Sequence, residues 1–302
     1  MALSTLAIVI LSACGTTSPT SVASPATSTT PTPPVFGLDY GPYTVGDGPG
    51  DMVPDSRVEQ LLTVLKGKVR WIKVPGASAG NTNVPRIAHG MGFKVVATAY
   101  ITGDPKVEEA ELKQLKIDID NKWIDVAVLG SESIWVKAKT APDLEAELDH
   151  LRTYIHGRLP LTTVEPNVVW IQHPDLVQHV DLVMANITPF SYQKPFNEAL
   201  SYVNTSYAEL VNKTHKEVWI GETEWATQGG LFGQALANPE TAANYFTAIE
   251  KWSRGNKVKM FYFEAFDEPW LGKLEPPFGD HWGVFTKDGS LKEGMDRGFS
   301  PP

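Results

Sequence analysis

Eight strand-like runs rich in Val, Ile and aromatic residues alternate with helical patterns along the chain. The runs are VFGLDYGP, VRWIKVPG, KVVATAYI, IDVAVLGSE, LTTVEP, VDLVMANITPF, EVWIGETEW and VKMFYFEAF. Strands that alternate with helices pair in parallel through right-handed crossovers. Eight such units without a break in composition predict an α/β fold, a single-domain (β/α)8 TIM barrel. A doubly wound open sheet is the structural alternative.

Helical segments between these runs carry their own boundary signals. Thr140 precedes one apolar helical pattern and Asn238 precedes another, as residues that cap helix starts do. Gly157 and Gly255 fall where these two helices are predicted to end, because glycine commonly follows the last helical turn.

The first 34 residues differ in composition from the rest. Residues 1–14 contain a short apolar run, LAIVILSACG, which is typical of an export signal and too short for a stable membrane span. Leu11-Ser12-Ala13-Cys14 resembles the lipobox of bacterial lipoproteins, which implies cleavage before Cys14 and its lipidation. Residues 15–34 are nearly all Ser, Thr, Pro and Ala and are predicted to form a disordered tether. The catalytic barrel is then residues 35–302.

These features predict an exported protein, held on the cell surface or the periplasmic face of a membrane by a lipid at Cys14. An ordinary cleaved signal, giving a secreted soluble protein, is the alternative. The chain has a net charge of −9, with 26 basic and 35 acidic residues and no basic block, which argues against nucleic acid and against other membrane contacts. We expect a monomer.

Metal and nucleotide chemistry lack sequence support. The histidine pair His173 and His179 has a spacing of six, not the i, i+4 spacing of a zinc helix, so no metal site is expected. There is no GxxxxGK[ST] phosphate loop.

Carboxylates outnumber every other chemical type at the carboxyl ends of the predicted strands, where TIM barrels carry their chemistry. The polar residues at these ends are Asp39, Tyr40, Glu132, Asn186, Glu222, Glu224, Glu264, Asp267 and Glu268. Glu222 and Glu224 lie two residues apart on one strand, so their side chains should point to the same side, about 7 Å apart.

Aromatic residues also lie on or just past the strand ends: Tyr40, Tyr43, Phe190, Tyr192, Trp225, Trp270 and Trp282. Paired carboxylates on different strands, in a cleft lined by aromatic rings, favour glycoside hydrolysis, because sugar faces stack on rings while one acid protonates the leaving oxygen. Packing of the barrel rim is the alternative role for each ring. We predict that Tyr40, Tyr192, Trp225 and Trp270 contact sugar.

At these motifs the chain resembles glycoside hydrolase family 17, the β-1,3-glucanase and β-1,3-glucanosyltransferase family, and its bacterial branch in particular. GLDYGPYTVGDGPG resembles the opening segment of the family, VAVLGSES the fourth strand, and IGETEW the seventh strand with its ETGWP motif. FYFEAFDEPWL and HWGVFTKDG resemble the eighth strand and its exit. The likeness spans residues 35–292.

The resemblance implies a retaining enzyme that acts on β-1,3-glucan through two glutamates. The acid/base of the family falls on Glu132 and the nucleophile on Glu222, at the ends of strands that face each other across a barrel. Sugar-contacting residues fall on Tyr40, Asn186, Glu268 and Trp270. No cofactor is implied, because side chains supply both the proton and the nucleophile.

Two positions beside the chemistry depart from the family pattern. Ser131 replaces an Asn that hydrogen bonds the sugar 2-OH in related barrels, so we expect slower turnover but not an inactive site. Glu224 stands where the family usually has Gly. We expect Glu224 either to bind sugar hydroxyls in a neighbouring subsite or to pair with Arg70 or Lys73, unless a local twist turns it outward.

Three other functions stay open from the residues. GASAG, residues 76–80, fits the GxSxG motif of serine hydrolases and would make Ser78 a nucleophile. A glucan-binding barrel with little catalysis is a second possibility, given the two departures. Transglycosylation is the third, because it uses the same two glutamates with a sugar hydroxyl in place of water.

Overall fold

The computed structural model describes residues 35–78 and 80–300, and in this part of the chain eight parallel strands close into a barrel. The ten strands are β1 (Val35–Asp39), β2 (Val69–Val74), β3 (Lys94–Ala99), β4 (Val126–Ser131), β5 (Leu161–Pro166), β6 (Val183–Asn186), β7 (Val218–Glu224), β8 (Gly230–Phe232), β9 (Ala235–Ala237) and β10 (Met260–Phe263). Their order around the barrel is β1-β10-β7-β6-β5-β4-β3-β2, while β8 and β9 pair as a separate antiparallel hairpin. The predicted single-domain (β/α)8 barrel is confirmed, and the doubly wound sheet was wrong.

Helices connect consecutive barrel strands, as the alternating sequence pattern predicts. They are α1 (Asp55–Leu65), α2 (Val84–Gly90), α3 (Pro105–Asp120), α4 (Ala141–Ile155), α5 (Asn167–Gln172), α6 (Phe196–Thr214) and α7 (Pro239–Asn256). Short 3-10 segments cover Pro174–His179, Leu271–Lys273, Gly279–His281 and Met295–Phe299.

The predicted helix starts are confirmed and one predicted end was wrong. The Thr140 side chain accepts a hydrogen bond at the start of α4, and the Asn238 side chain does the same for α7. Helix α4 ends at Ile155, just before Gly157 as expected. Helix α7 instead passes through Gly255 and ends at Asn256, because Lys257 takes the left-handed conformation that stops it.

Aromatic rings fill the amino-terminal end of the barrel. Phe36 stacks on Trp71, with ring centroids 5.6 Å apart, and Trp219 meets both rings edge-on. These residues stand near the start of their strands, so the aromatic cluster fills the end of the barrel opposite the strand-end carboxylates. The outer core packs apolar faces of the helices against the barrel wall.

The predicted signal, the lipidation site Cys14 and the tether lie outside the described residues. No helix in residues 35–78 and 80–300 has the length and apolar character needed to cross a membrane.

Three carboxyl groups outside the predicted active site are fully buried: Asp118, Glu165 and Glu250. Burial raises the pKa of Asp118 on α3 to about 7. Burial also raises the pKa of Glu165 on β5 to about 7, against hydrogen bonds from the backbone of Ile134 and Trp135. Burial raises the pKa of Glu250 on α7 to about 8, although the Arg254 guanidinium opposes the change.

These groups predict a barrel that loses stability between weakly acidic pH and about pH 8. Between the ordinary carboxyl pKa near 4 and the raised values, the folded state holds protons that the unfolded state releases, so the free energy of unfolding falls from about pH 4 and levels off above about pH 8. We expect the Tm to drop by several degrees between pH 5 and pH 9 in a thermal melt series. In Glu250→Gln, which cannot ionise there, the drop should be smaller. A wild-type Tm that rises over this range would contradict the account.

Candidate active site

Two glutamates meet at the carboxyl end of the barrel through one asparagine. The Asn186 side-chain nitrogen, at the end of β6, donates to Glu132 Oε1 at 2.8 Å and to Glu222 Oε2 at 3.1 Å. Because both oxygens contact one nitrogen, they lie at most about 6 Å apart. Glu132 and Glu222 are thus brought together as the sequence analysis expects.

The local backbone makes room for this contact. Glu132 follows β4 directly in a left-handed conformation with φ of 56°, and its N–H donates to the Val164 carbonyl of β5 at 2.7 Å. The pairing register of β4 and β5 shifts just before this point. At Gly221, a Cβ atom would lie 2.8 Å from Asn186 Oδ1, so glycine allows the asparagine side chain to approach β7.

A buried lysine supports Glu222 from below. Lys73 Nζ on β2 lies 2.7 Å from Glu222 Oε1 and 2.9 Å from Asp39 Oδ1 on the neighbouring strand β1. Burial lowers the pKa of Lys73, but the Asp39 and Glu222 carboxylates outweigh it and raise that pKa above its ordinary value. Lys73 therefore stays a cation and forms an ion pair with Glu222.

Glu132 has a different environment. Burial raises the pKa of Glu132, and the Glu222 charge raises it further against the Asn186 hydrogen bond and the Lys73 charge. Glu132 thus has a raised pKa, which favours its protonated form, while Glu222 contacts a cation. This difference is typical of a general acid beside a nucleophile or base.

A cleft of about 340 Å³ lies over this pair. Its lining residues are Glu132, Trp135, Pro166, Thr188, Ser191, Tyr192, Glu222, Glu224, Phe263, Glu275 and Trp282. On one wall the Trp282 Nε1 donates to Glu275 at 2.9 Å. The mixture of aromatic rings and carboxyl groups suits a ligand with apolar faces and many hydroxyls.

Glu224 faces the same cleft as Glu222, as strand alternation predicts. It is almost fully buried and accepts hydrogen bonds from the Ser191 N–H at 3.2 Å and the Ser191 hydroxyl at 2.8 Å. The proposed pairing with Arg70 or Lys73 was wrong, because Lys73 binds Asp39 and Glu222 instead. The outward orientation was wrong as well.

Three predicted sugar contacts are structural residues instead. Tyr40 is fully buried, with its hydroxyl 3.5 Å from the Val58 carbonyl. Trp225 is fully buried and donates to the Leu236 carbonyl. Glu268 is buried and accepts from the Tyr43 N–H, which fixes the loop after β1. A sequence position near a strand end predicts at which end of the barrel a residue lies, but it does not predict whether the side chain points into the cleft or into the packing behind the barrel wall.

Two further predicted contacts lie outside the cleft lining. Trp270 is half-buried, donates to Glu268 and packs edge-on against Tyr43. Ser131 is half-buried at the end of β4 but does not line the cleft. Of the predicted substrate-binding residues, Asn186, Tyr192 and Glu224 are therefore the ones that the structure brings beside the glutamate pair.

The serine-hydrolase interpretation of GASAG was wrong. The Ser78 hydroxyl donates to Glu111 of α3, and the N–H groups of Ala77, Ser78 and Tyr100 donate to the same carboxylate. Glu111 thus holds the turn after β2, and the hydroxyl is engaged in this structural contact.

Sequence reasoning placed Lys73 beside Glu224 and not Glu222, and it missed Trp135 and Glu275. Lys73 had a signal, since a lysine inside an otherwise apolar strand needs a carboxylate partner. Trp135 and Glu275 had none, because they stand in loops whose path over the barrel mouth no local pattern reveals. In residues 35–78 and 80–300 no cluster of His, Cys, Asp and Glu is arranged to hold a metal ion.

Comparisons with known proteins give a consistent set of relatives. The sequence profile of the BtgE/BtgC glycoside hydrolase domain matches residues 37–283. The chain is 25% identical over 280 residues to the glucan 1,3-β-glucosidase BGL2 of Candida albicans, covering 81% of this chain and 88% of that protein. It is 27% identical over 283 residues to the glucan 1,3-β-glucosidase of Saccharomyces cerevisiae, covering 85% and 90%.

The fold also matches a solved structure. The glycoside hydrolase family 17 β-1,3-glucanosyltransferase from Rhizomucor miehei superposes with a TM-score of 0.76 at 21% identity, over 86% of this chain and 96% of that one. This likeness shows a shared barrel fold.

The paired glutamates predict a measurable electrostatic coupling. Because the Glu222 charge raises the pKa of Glu132, we expect Glu222→Gln to lower the Glu132 pKa toward its ordinary value. An NMR titration of the 13C-labelled Glu132 carboxyl would measure it. Glu275→Gln, which removes a weaker influence on the same group, should cause a smaller decrease. An unchanged Glu132 pKa in Glu222→Gln would show that the two carboxyls are not coupled.

Proposed function

Because the chain belongs to the BtgE/BtgC glycoside hydrolase domain family, we propose that it is a retaining enzyme acting on β-1,3-glucan, with Glu132 and Glu222 as its catalytic residues. We also propose that it is of the family 17 type. Its placement in the bacterial branch stays a prediction, since the relatives reported above are fungal.

The observation that carries this proposal is the shared contact of both glutamates with Asn186. It limits the distance between the bonded oxygens to about 6 Å, which suits the roughly 5 to 5.5 Å of retaining enzymes and not the 6.5 Å or more that inverting enzymes need for a water.

The proposed roles follow from the two environments. Glu132, whose pKa is raised, gives its proton to the glycosidic oxygen as the bond from that oxygen to the anomeric carbon breaks. Glu222 forms a bond to the same carbon and gives a covalent glycosyl-enzyme. Glu132, now an anion, takes a proton from the incoming acceptor as that acceptor displaces Glu222. Asn186 and Lys73 orient the nucleophile.

The substrate class rests on the relatives and on the cleft. Two relatives are glucan 1,3-β-glucosidases, aligned over most of their length. The cleft offers aromatic surface and carboxyl groups, and none of its lining residues is basic. A neutral polyhydroxyl chain suits such a lining better than an acidic or sulfated sugar.

Hydrolysis and transfer differ only in the acceptor, so both remain within this proposal. Water as the acceptor gives shorter products, and a sugar hydroxyl gives longer ones. A glucanosyltransferase among the proteins of the same fold keeps transfer as the second candidate.

A product time course on β-1,3-linked glucose oligosaccharides of defined length tests the proposal. We expect cleavage by the wild type with β-anomers formed first, detected by 1H NMR, and a loss of at least about 10³-fold in Glu222→Gln and in Glu132→Gln. Glu250→Gln, which changes a buried acid on α7 outside the cleft, serves as the control and should stay active near pH 7, and Glu224→Gln is measured beside it.

The outcomes separate the alternatives. Products longer than the substrate would assign transferase activity to the same residues. Binding without cleavage at high enzyme concentration would identify a glucan-binding barrel. Inactivity of Glu224→Gln together with full activity of Glu222→Gln would overturn the assignment of the nucleophile.

We further propose that Cys14 is lipidated and anchors an exported enzyme to a membrane. The lipobox-like Leu11-Ser12-Ala13-Cys14 segment supports this proposal. In a bacterial host given an alkyne fatty acid, the full chain should be labelled and recovered with membranes, whereas Cys14→Ser should be unlabelled. An unlabelled wild-type chain found in the medium would instead indicate a secreted soluble enzyme.

A further inference from the structure

Glu224 has one oxygen engaged by the protein and one without a protein partner. Both hydrogen bonds from Ser191 go to Oε1, at 2.8 and 3.2 Å. Oε2 is buried and has no hydrogen-bond partner among the described residues. The residue as a whole lines the cleft beside the catalytic pair. Buried polar atoms in native proteins are almost always hydrogen bonded, so Oε2 requires an explanation.

Among the described residues, no cation forms an ion pair with Glu224. On its own strand it faces Glu222, and across the cleft it faces Glu132. From α6, α7 and β10 it is approached by the phenol groups of Tyr202, Tyr245 and Tyr262. The buried Lys73 is committed to Asp39 and Glu222.

These surroundings favour the neutral acid. Burial raises the pKa of Glu224 to about 8, and the Glu222 and Glu132 charges contribute to this in opposition to the Ser191 hydrogen bonds. Because Oε1 accepts two hydrogen bonds, the proton of the neutral acid is on Oε2. At neutral pH, Glu224 is therefore a hydrogen-bond donor, unlike an ionised carboxylate.

A second unmatched group lines the same cleft. Tyr192 lines the cleft immediately after Ser191, and its hydroxyl is buried without a hydrogen-bond partner among the described residues. Its ring is held by Tyr202, with centroids 5.6 Å apart. The cleft lining thus combines an acid oxygen and a phenol hydroxyl without protein partners, on residues that Ser191 connects, because it bonds Glu224 and directly precedes Tyr192.

We propose that Glu224, as a neutral acid, and Tyr192 form a sugar subsite beside the catalytic pair, in which Glu224 Oε2 donates to a hydroxyl of the bound sugar and the Tyr192 hydroxyl bonds a second one. This inference rests on the proposed function, since it names a subsite of that enzyme. Ser191 positions Glu224 by holding Oε1. The subsite recognises neutral sugar hydroxyls, and its affinity falls when Glu224 ionises, because the donor is lost and a further negative charge enters the cleft.

Calorimetric binding of the β-1,3-linked glucose tetrasaccharide tests the subsite. The background is Glu132→Gln, which should bind without cleaving. We expect its Kd to rise about tenfold from pH 6.5 to pH 9.5, the effect of losing one hydrogen bond to the ligand. With Glu224→Gln added, the affinity at pH 6.5 should be kept and should not change with pH, because the amide keeps a donor and cannot ionise.

Two variants that remove the proposed hydrogen-bonding groups and one control variant complete the binding experiment. Adding Glu224→Leu or Tyr192→Phe should weaken binding about tenfold already at pH 6.5. Adding Glu250→Gln removes a buried acid that has the same raised pKa but lies on α7 outside the cleft, and binding should follow the background at every pH. Thermal melts of each variant establish that it is folded.

The outcomes distinguish this inference from the proposed function. The subsite is overturned if Glu224→Gln loses affinity with pH as the background does, or if Glu224→Leu and Tyr192→Phe both bind with full affinity. If those variants bind normally while the wild type cleaves the oligosaccharide, the enzyme stands and the subsite alone falls. If no variant binds and the wild type cleaves nothing, both fall together.

Discussion

The buried Lys73 cation is the interaction on which the barrel mouth depends. It is 1% exposed and joins three strands, because it contacts Asp39 of β1 and Glu222 of β7 from its own position on β2. A buried charge is tolerated only when it is paired and hydrogen bonded, so the lysine depends on these two partners. Removing the lysine would leave the buried Asp39 and the half-buried Glu222 without a cation, and removing either acid would leave Lys73 partly uncompensated.

Lys73 contacts Asp39 and Glu222, so it does not pair with Glu132 or Glu224, and the burial of these two acids affects their pKa values instead. Burial and the charge of Glu222 raise the pKa of both Glu132 and Glu224. The same electrostatic arrangement therefore places a cation against Glu222 and raises the pKa of the two acids around it. A glycosidase needs this division, because its nucleophile must be charged while its acid must carry a proton.

The sequence predicts the barrel and the meeting of Glu132 with Glu222, but not the full site. Eight apolar runs with helical segments between them are enough for the fold, and strand ends are enough to bring Glu132 and Glu222 to one end of it. Tyr40 and Trp225 stand at such ends too, yet their rings turn into the packing behind the wall. The direction of a side chain at a strand end depends on the strand twist and on the helices behind the barrel wall, and the sequence of a single strand does not predict it.

Site residues in loops are harder to predict from the sequence, because their positions depend on contacts with residues far away along the chain. Glu275 reaches the cleft from the segment after β10 and is held by Trp282, so its position depends on how that whole segment folds over the mouth. Glu224 shows the opposite case. Its strand position was predictable, but its partner Ser191 lies 33 residues earlier in the loop after β6. A side chain's direction follows from its strand, whereas its protonation state follows from every element packed around it, and the chemistry of this cleft depends on both.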